Sequence, residues 1–113
     1  MSLDVYLTTR DIDGNELETP VYSANITHNL GKMADKAGIY EALWRPEERG
    51  WTTAREIVPV LDAGLARLKA DPAHFEQFNA LNGWGLYEHF VEFVEAYLAA
   101  CRKYPSAVIG VSR

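Results

Sequence analysis

The sequence predicts an α+β fold: a small antiparallel sheet, made of an N-terminal hairpin plus a C-terminal strand, covered on one face by about four helices. Two observations lead to this prediction. Strand-type patterning lies at both ends of the chain, and apolar residues at helical spacing fill the middle. The chain has 113 residues, 48% hydrophobic and 24% charged, so we expect residues 1–113 to form a single domain.

The predicted sheet starts with residues 3–8, where apolar and polar side chains alternate with the period of a half-buried strand. Asp13-Gly14 is typical of a chain reversal, and residues 21–23 predict a short return strand. Pro20 lacks an amide donor, which favours an edge position for that strand. Residues 107–111 predict a final strand that pairs with the first.

A helix is predicted directly after the return strand. Asn25 is its predicted N-cap, with Thr27 as the alternative, and Gly38 is expected to end it. Its helical spacing rests on five apolar residues: Ile26, Leu30, Met33, Ala34 and Ala37.

Residues 39–52 are predicted to form an irregular arm, because Pro46 stops any helix that begins near Tyr40. Thr53 and Glu56 then have the spacing of a capping box, in which each residue satisfies an amide of the other. We expect a second, long helix to begin there.

Two more helices complete the predicted fold. Asp71-Pro72 has the N-cap and first-position residues of a short third helix. Residues 79–85, NALNGWG, are typical of a loop, since Asn and Gly adopt positive φ angles readily. A fourth helix is predicted from Leu86 to about Tyr104.

Charge and cysteine content exclude several function classes. The net charge of −5 argues against binding to duplex nucleic acid or to an anionic membrane, which requires a basic surface. The single cysteine, Cys101, fits a reducing compartment, and no apolar run is long enough for a transmembrane helix. We therefore expect a cytoplasmic protein.

No catalytic or metal-binding pattern is apparent. His28, His74 and His89 lack the spacing of known zinc or di-iron motifs, and we interpret them as structural or surface residues. Cys101 falls on an apolar helix stripe, where an inert buried thiol is expected. We therefore predict no metal, no cofactor and no catalytic residues.

The strongest candidate site is the start of the first helix, since free amides at a helix N-terminus favour an anion. Asn25, Thr27, His28 and Asn29 surround this start. The predicted ligand-binding set adds two cations for phosphate and two tryptophans for a base: Lys32, Arg45, Trp44 and Trp84. The alternative is that the polar residues only cap a helix and the tryptophans belong to the core.

Three segments carry a resemblance: residues 25–46, residues 78–90 with their NGWG loop, and the terminal AVIGVSR. Here the chain resembles small uncharacterised phage and bacterial proteins with an N-x-T-x-N helix start. The resemblance covers most of residues 3–113 and implies no specific activity. It suggests the setting of a phage anti-defence protein, which would act in the host cytoplasm.

Three functional hypotheses follow. The favoured one is a non-catalytic binding protein that sequesters a small nucleotide-like ligand, as a sponge for an immune signal does. A second is a protein–protein interaction module that inhibits a host enzyme through an acidic face. A third is a small hydrolase acting on a nucleotide derivative with His28 and an Asp or Glu. A homo-oligomer is compatible with all three. The acidic face comprises Asp4, Glu41, Glu47, Glu48, Glu88, Glu92 and Glu95.

Overall fold

The computed structural model describes residues 2–9, 13–14, 20–80, 83 and 85–113. It confirms the α+β prediction, with a three-stranded antiparallel sheet packed against helices. The strands are β1 (Ser2–Thr8), β2 (Tyr22–Thr27) and β3 (Val108–Ser112). The helices are α1 (Gly31–Lys36), α2 (Tyr40–Trp44), α3 (Ala54–Ala70), α4 (Pro72–Glu76) and α5 (Tyr87–Lys103). Short 3₁₀ turns cover His28–Leu30 and Pro46–Arg49.

The first strand occupies the centre of the sheet, whose order is β2-β1-β3. Leu3, Val5 and Leu7 are fully buried, and they face the helices as the alternation predicts. The predicted pairing of the last strand with the first is confirmed, with Val111 opposite Val5. The polar residues of β1 lie on the other face of the sheet.

The second strand is longer than predicted, and this corrects the start of the first helix. β2 continues to Thr27, and Asn25 lies opposite Asp4 in the ladder. Asn25 is therefore not an N-cap. Thr27, the alternative, holds that position in front of the 3₁₀ turn. Pairing with β1 satisfies the backbone of residues 25–27 in a way that a local helix pattern cannot reveal.

The core lies between the sheet and the two long helices α3 and α5, which pack against each other. Phe90, Val94 and Tyr97 of α5 are buried, as the predicted apolar stripe requires. The α3 helix is continuous through the exposed Pro59. Its first amide is satisfied from outside the helix, because Ala54 N–H donates to the Ala107 carbonyl at 2.9 Å. None of the helices in the described part of the chain is long and apolar enough to cross a bilayer.

Candidate ligand-binding site

An open cleft of about 740 Å³ lies between the end of β2 and the loop that precedes α5. Four predicted site residues, all within residues 25–29, line it together with parts of that loop. The full set of described lining residues is Ser2, Asn25, Ile26, Thr27, His28, Asn29, Leu30, Gly83, Gly85 and His89. Strand pairing and the following 3₁₀ turn thus bring four polar residues, Asn25, Thr27, His28 and Asn29, to one cleft.

Asn25 is oriented by its neighbour across the ladder. Its Nδ2 donates to Asp4 Oδ1 at 2.7 Å. A carboxylate accepts hydrogen bonds and has none to donate, so the amide nitrogen must face Asp4. The carbonyl oxygen of Asn25 is then the acceptor that remains for a bound molecule.

Thr27 ends the strand and starts the turn. Its extended backbone, with φ −72° and ψ 145°, belongs to β2, while its Oγ1 accepts from the Asn29 backbone N–H at 3.3 Å. An N-cap hydroxyl used as an acceptor keeps its own proton for donation. The turn also brings the side chain of Asn29 to the same wall of the cleft.

His28 is held by a hydrogen bond from a buried tryptophan. Its Nδ1 accepts a hydrogen bond of 2.8 Å from the indole Nε1 of Trp44. An indole N–H is a donor only, so Nδ1 carries no proton, and a neutral His28 has its proton on Nε2. The hydrogen bond therefore assigns the tautomer of His28 and fixes its ring.

Trp44 lies in the core, so its ring has no open face for the predicted stacking on a base. Its side chain is only 3% exposed. Its ring stacks on Tyr40, with centroids 5.3 Å apart and planes inclined by 2°. An aromatic residue of α2 that faces the core buries a large apolar area there, which explains its position. Trp44 reaches the site only through His28.

The structure does not bring the two predicted cations, Lys32 and Arg45, to the described lining of the cleft. Lys32 Nζ lies over the Phe78 ring, 5.6 Å from its centroid. Arg45 forms an ion pair of 3.8 Å with Glu48. Both side chains thus interact outside the described lining, and these tertiary contacts are not encoded in sequence spacing.

Trp84 lies outside the described residues, but its two glycine neighbours are described. Gly83 and Gly85 both line the cleft. The Gly85 backbone packs so tightly on the opposite wall that a β-carbon there would lie 3.1 Å from Asn29 Cβ. These two glycines of the NGWG loop and the segment from Asn25 to Asn29 therefore border the same cavity.

His89 is a lining residue that the sequence prediction did not include. It is exposed in the first turn of α5 and faces the cleft across from residues 25–29. A signal was present, since the histidine follows the NGWG loop by only a few residues. Its lack of a metal-type spacing led to its interpretation as structural.

The described lining contains no Asp, Glu, Lys or Arg. Guanidinium groups lie elsewhere: Arg49 and Arg67 border a smaller depression of about 260 Å³ together with Glu41. The cleft can therefore recognise a molecule through neutral hydrogen-bonding groups and two imidazoles. It cannot offset several negative charges with cations of its own described residues.

Other chemistry is poorly supported in the described part of the chain. No group of three or more metal-ligating side chains lies together there. The Cys101 thiol is buried, and burial raises its pKa to about 12, so the nucleophilic thiolate is suppressed at neutral pH. The described cleft residues thus supply hydrogen bonds and imidazole nitrogens only. Comparisons of this chain with protein-family models, with curated proteins and with solved structures find no match.

Proposed function

We propose that this protein is a non-catalytic binding protein that sequesters a small nucleotide-like ligand in the cleft at the end of β2. One observation carries the proposal: Asn25, Thr27, His28 and Asn29 converge with Gly83 and Gly85 of the NGWG motif on a single cavity. The resemblance of these two motifs to small phage and bacterial proteins supports a role as an anti-defence sponge for an immune signal.

The dimensions of the cleft support a small molecule. Ligand sites in proteins enclose about 300–1,000 Å³, and the cleft of about 740 Å³ falls within that range. Its floor includes the apolar side chains of Ile26 and Leu30, which are almost fully buried. An apolar floor with a few converging polar groups is the usual composition of such a site.

The polar groups favour a ribose or a phosphodiester. The Thr27 hydroxyl and the His28 Nε2–H are donors for hydroxyl or phosphoryl oxygens, and the Asn25 carbonyl is an acceptor for a sugar hydroxyl. Because the described lining contains no cation, the negative charges of a bound triphosphate would have no positively charged side chain beside them. Nucleosides, cyclic dinucleotides and ADP-ribose derivatives are therefore favoured over ATP.

The proposal is tested by calorimetry and thermal shift with adenosine, cyclic dinucleotides, ADP-ribose and ATP. Asn25→Ala and His89→Ala are expected to weaken binding about 3–10-fold each, since each removes one hydrogen bond. Ser23→Ala is the matched control for Asn25, because Ser23 is exposed two residues away on the same face of β2. Lys32→Ala and Arg45→Ala should leave binding unchanged.

Chromatography of the ligand after release separates sequestration from turnover. Recovery of the intact molecule at the bound stoichiometry supports the proposal. Absence of binding by every member of the panel, with the protein folded, would contradict it. Loss of affinity in Lys32→Ala or Arg45→Ala, with none in Asn25→Ala, would move the site away from this cleft.

A hydrolase remains the second candidate because His28 and His89 both line the cleft. Two imidazoles are a plausible acid and base for cleavage of a nucleotide derivative. No described lining residue supplies the Asp or Glu that the original hypothesis paired with His28. Consumption of the ligand, abolished by His28→Ala or His89→Ala, would establish this candidate in place of the first.

The acidic face gives less support to an interaction module. Within the described residues, Glu47 pairs with Arg113, Glu48 with Arg45 and Glu95 with Lys69. Asp4 accepts from Asn25. These three glutamates already pair with a cation and so offer less charge to a basic protein surface, whereas the neutral amide of Asn25 leaves the charge of Asp4 uncompensated.

A further inference from the structure

We infer that Trp44 is a positioning residue that makes His28 a fixed Nε2–H donor, so that the ligand presents a hydrogen-bond acceptor, such as a phosphoryl or carbonyl oxygen, at that point of the cleft. The inference rests on the proposed function, since it specifies what the same cleft recognises. Trp44 is buried and cannot stack on a ligand, and this inference assigns it an indirect role in binding through His28.

The geometry starts in the core. Trp44 is buried, stacked on Tyr40, and directs its only polar atom at His28 Nδ1 over 2.8 Å. The two rings are tilted by 44°, with centroids 6.1 Å apart, so the contact is made at the ring edges. A tryptophan packed in this way has little freedom to turn, and its N–H keeps the His28 ring in one orientation.

The chemistry then follows at the opposite nitrogen. A neutral imidazole has one donor and one acceptor nitrogen, and Trp44 uses the acceptor. Because the Nδ1 edge faces the core, the Nε2 edge is left for the cleft that His28 lines. Among the described residues, none makes a hydrogen bond to Nε2. The site therefore offers a donor where a freely rotating histidine would offer either a donor or an acceptor.

Two substitutions at position 28 separate the two nitrogens. His28→Asn places an amide near Nδ1, where its oxygen can accept from Trp44 but its reach into the cleft is lost. His28→Gln places an amide nitrogen near Nε2, where it can donate to the ligand while Trp44 loses its acceptor. The expected result is a crossed pattern. His28→Asn keeps most of the stability and loses about tenfold in affinity, whereas His28→Gln loses stability and only about threefold in affinity, because its donor remains but Trp44 no longer holds it in place.

Trp44→Phe tests the positioning role directly, with Tyr40→Phe as its matched control. The first keeps a buried aromatic ring and removes the N–H, and the second preserves the stacked pair and the hydrogen bond. We expect Trp44→Phe to weaken binding about 3–10-fold and Tyr40→Phe to leave it unchanged. In ¹⁵N NMR of the ligand-free protein, His28 should show a protonated Nε2 and an unprotonated Nδ1, and Trp44→Phe should shift the Nδ1 signal.

The readouts distinguish failure of this inference from failure of the proposed function. A proton on Nδ1 of His28 in the native protein overturns the inference without reference to any ligand. Ligand binding that is equally strong in His28→Asn and in the native protein overturns it while the sequestration proposal survives. Absence of binding by the native protein to the whole panel removes both. The inference is supported if His28→Asn and His28→Gln show the opposite effects on stability and affinity described above and Trp44→Phe weakens binding.

Discussion

Gly64 of α3 packs so closely against Ile39 that a β-carbon at position 64 would collide with the Ile39 Cγ2 methyl group. Ile39 is fully buried, and Gly64 belongs to the buried side of the helix. The missing side chain lets α3 approach the segment that joins α1 to α2. This contact supports the start of α2, the helix whose last residue is Trp44.

Gly64→Ala is expected to lower the free energy of unfolding by about 1–3 kcal/mol, the usual cost of overpacking a core. Helix propensity alone favours alanine over glycine by about 1 kcal/mol, so a net loss of stability would come from the steric clash. Gly31→Ala is the control, because a β-carbon there would meet only Tyr40 Cε1 at an ordinary 3.7 Å. Urea unfolding followed by circular dichroism measures both. A Gly64→Ala protein as stable as Gly31→Ala would show that the contact is loose.

Tyr97→Phe is expected to stabilise the protein by about 1 kcal/mol, since it removes a buried hydroxyl that has no hydrogen bond. The Tyr97 hydroxyl has no partner in the described part of the chain, and burial raises the pKa of this phenol far above its ordinary value. Tyr22 stacks on Tyr97 at 5.9 Å and is only half-buried, so Tyr22→Phe should change stability little. Thermal unfolding compares the two. Destabilisation by Tyr97→Phe would show that the hydroxyl has a partner.

Cys101 makes stability fall at alkaline pH. Burial raises its pKa from 9.0 to about 12, so the folded protein keeps the thiol proton that the unfolded chain releases above pH 9. The unfolded state then binds fewer protons, and the free energy of unfolding declines between about pH 9 and pH 12. Cys101→Ala should show a shallower decline in that window. In the native protein, a thiol reagent should react at pH 8 only as fast as the protein opens.

Glu56 contributes stability that is lost in acid. Its Oε1 accepts from the amides of Thr52 and Thr53 at 3.1 and 3.0 Å, and these hydrogen bonds lower its pKa from 4.5 to about 2. The contribution is therefore complete above about pH 4.5 and disappears as the pH falls through 2. In Glu56→Gln, this part of the acid dependence should vanish. Equal acid curves for the variant and the native protein would contradict the capping-box role.

Gly85→Ala is expected to widen or distort the cleft. A β-carbon there would lie 3.1 Å from Asn29 Cβ and 3.3 Å from Thr27 Cγ2, and φ is 126°. The backbone at position 85 must therefore move away from Thr27 and Asn29. Gly83→Ala is the comparison, because its φ of 79° is also positive but no atom lies within 4 Å. Calorimetry should show a larger loss of ligand affinity for Gly85→Ala, and equal losses would mean that the loop does not shape the cleft.

The fold was largely accessible from local patterns. Alternation at residues 3–8, the Thr53–Glu56 capping box and the apolar stripe of α5 each report on one element and its immediate neighbours. Such patterns can be read from sequence because the geometry of a helix or a strand sets the spacing of its buried residues. The candidate site was accessible only in part. Asn25, Thr27, His28 and Asn29 were identified, and the cleft also includes His89.

The sequence by itself determined β1, β3 and the long helices α3 and α5, since burial periodicity and capping residues are local, but it predicted neither the end of β2 nor α2, which lies in the predicted irregular arm. Tertiary structure decided the position of each polar residue between those segments. Pairing with Asp4 placed Asn25 in a strand, and core packing took Trp44 out of the cleft and turned it toward His28. The physical reason is that hydrogen bonds across a ladder and contacts across a core join residues far apart in the chain. Residues 25–29 are polar enough to begin a helix, but their conformation and orientation are set by residues distant in the chain that pair with them or pack on them.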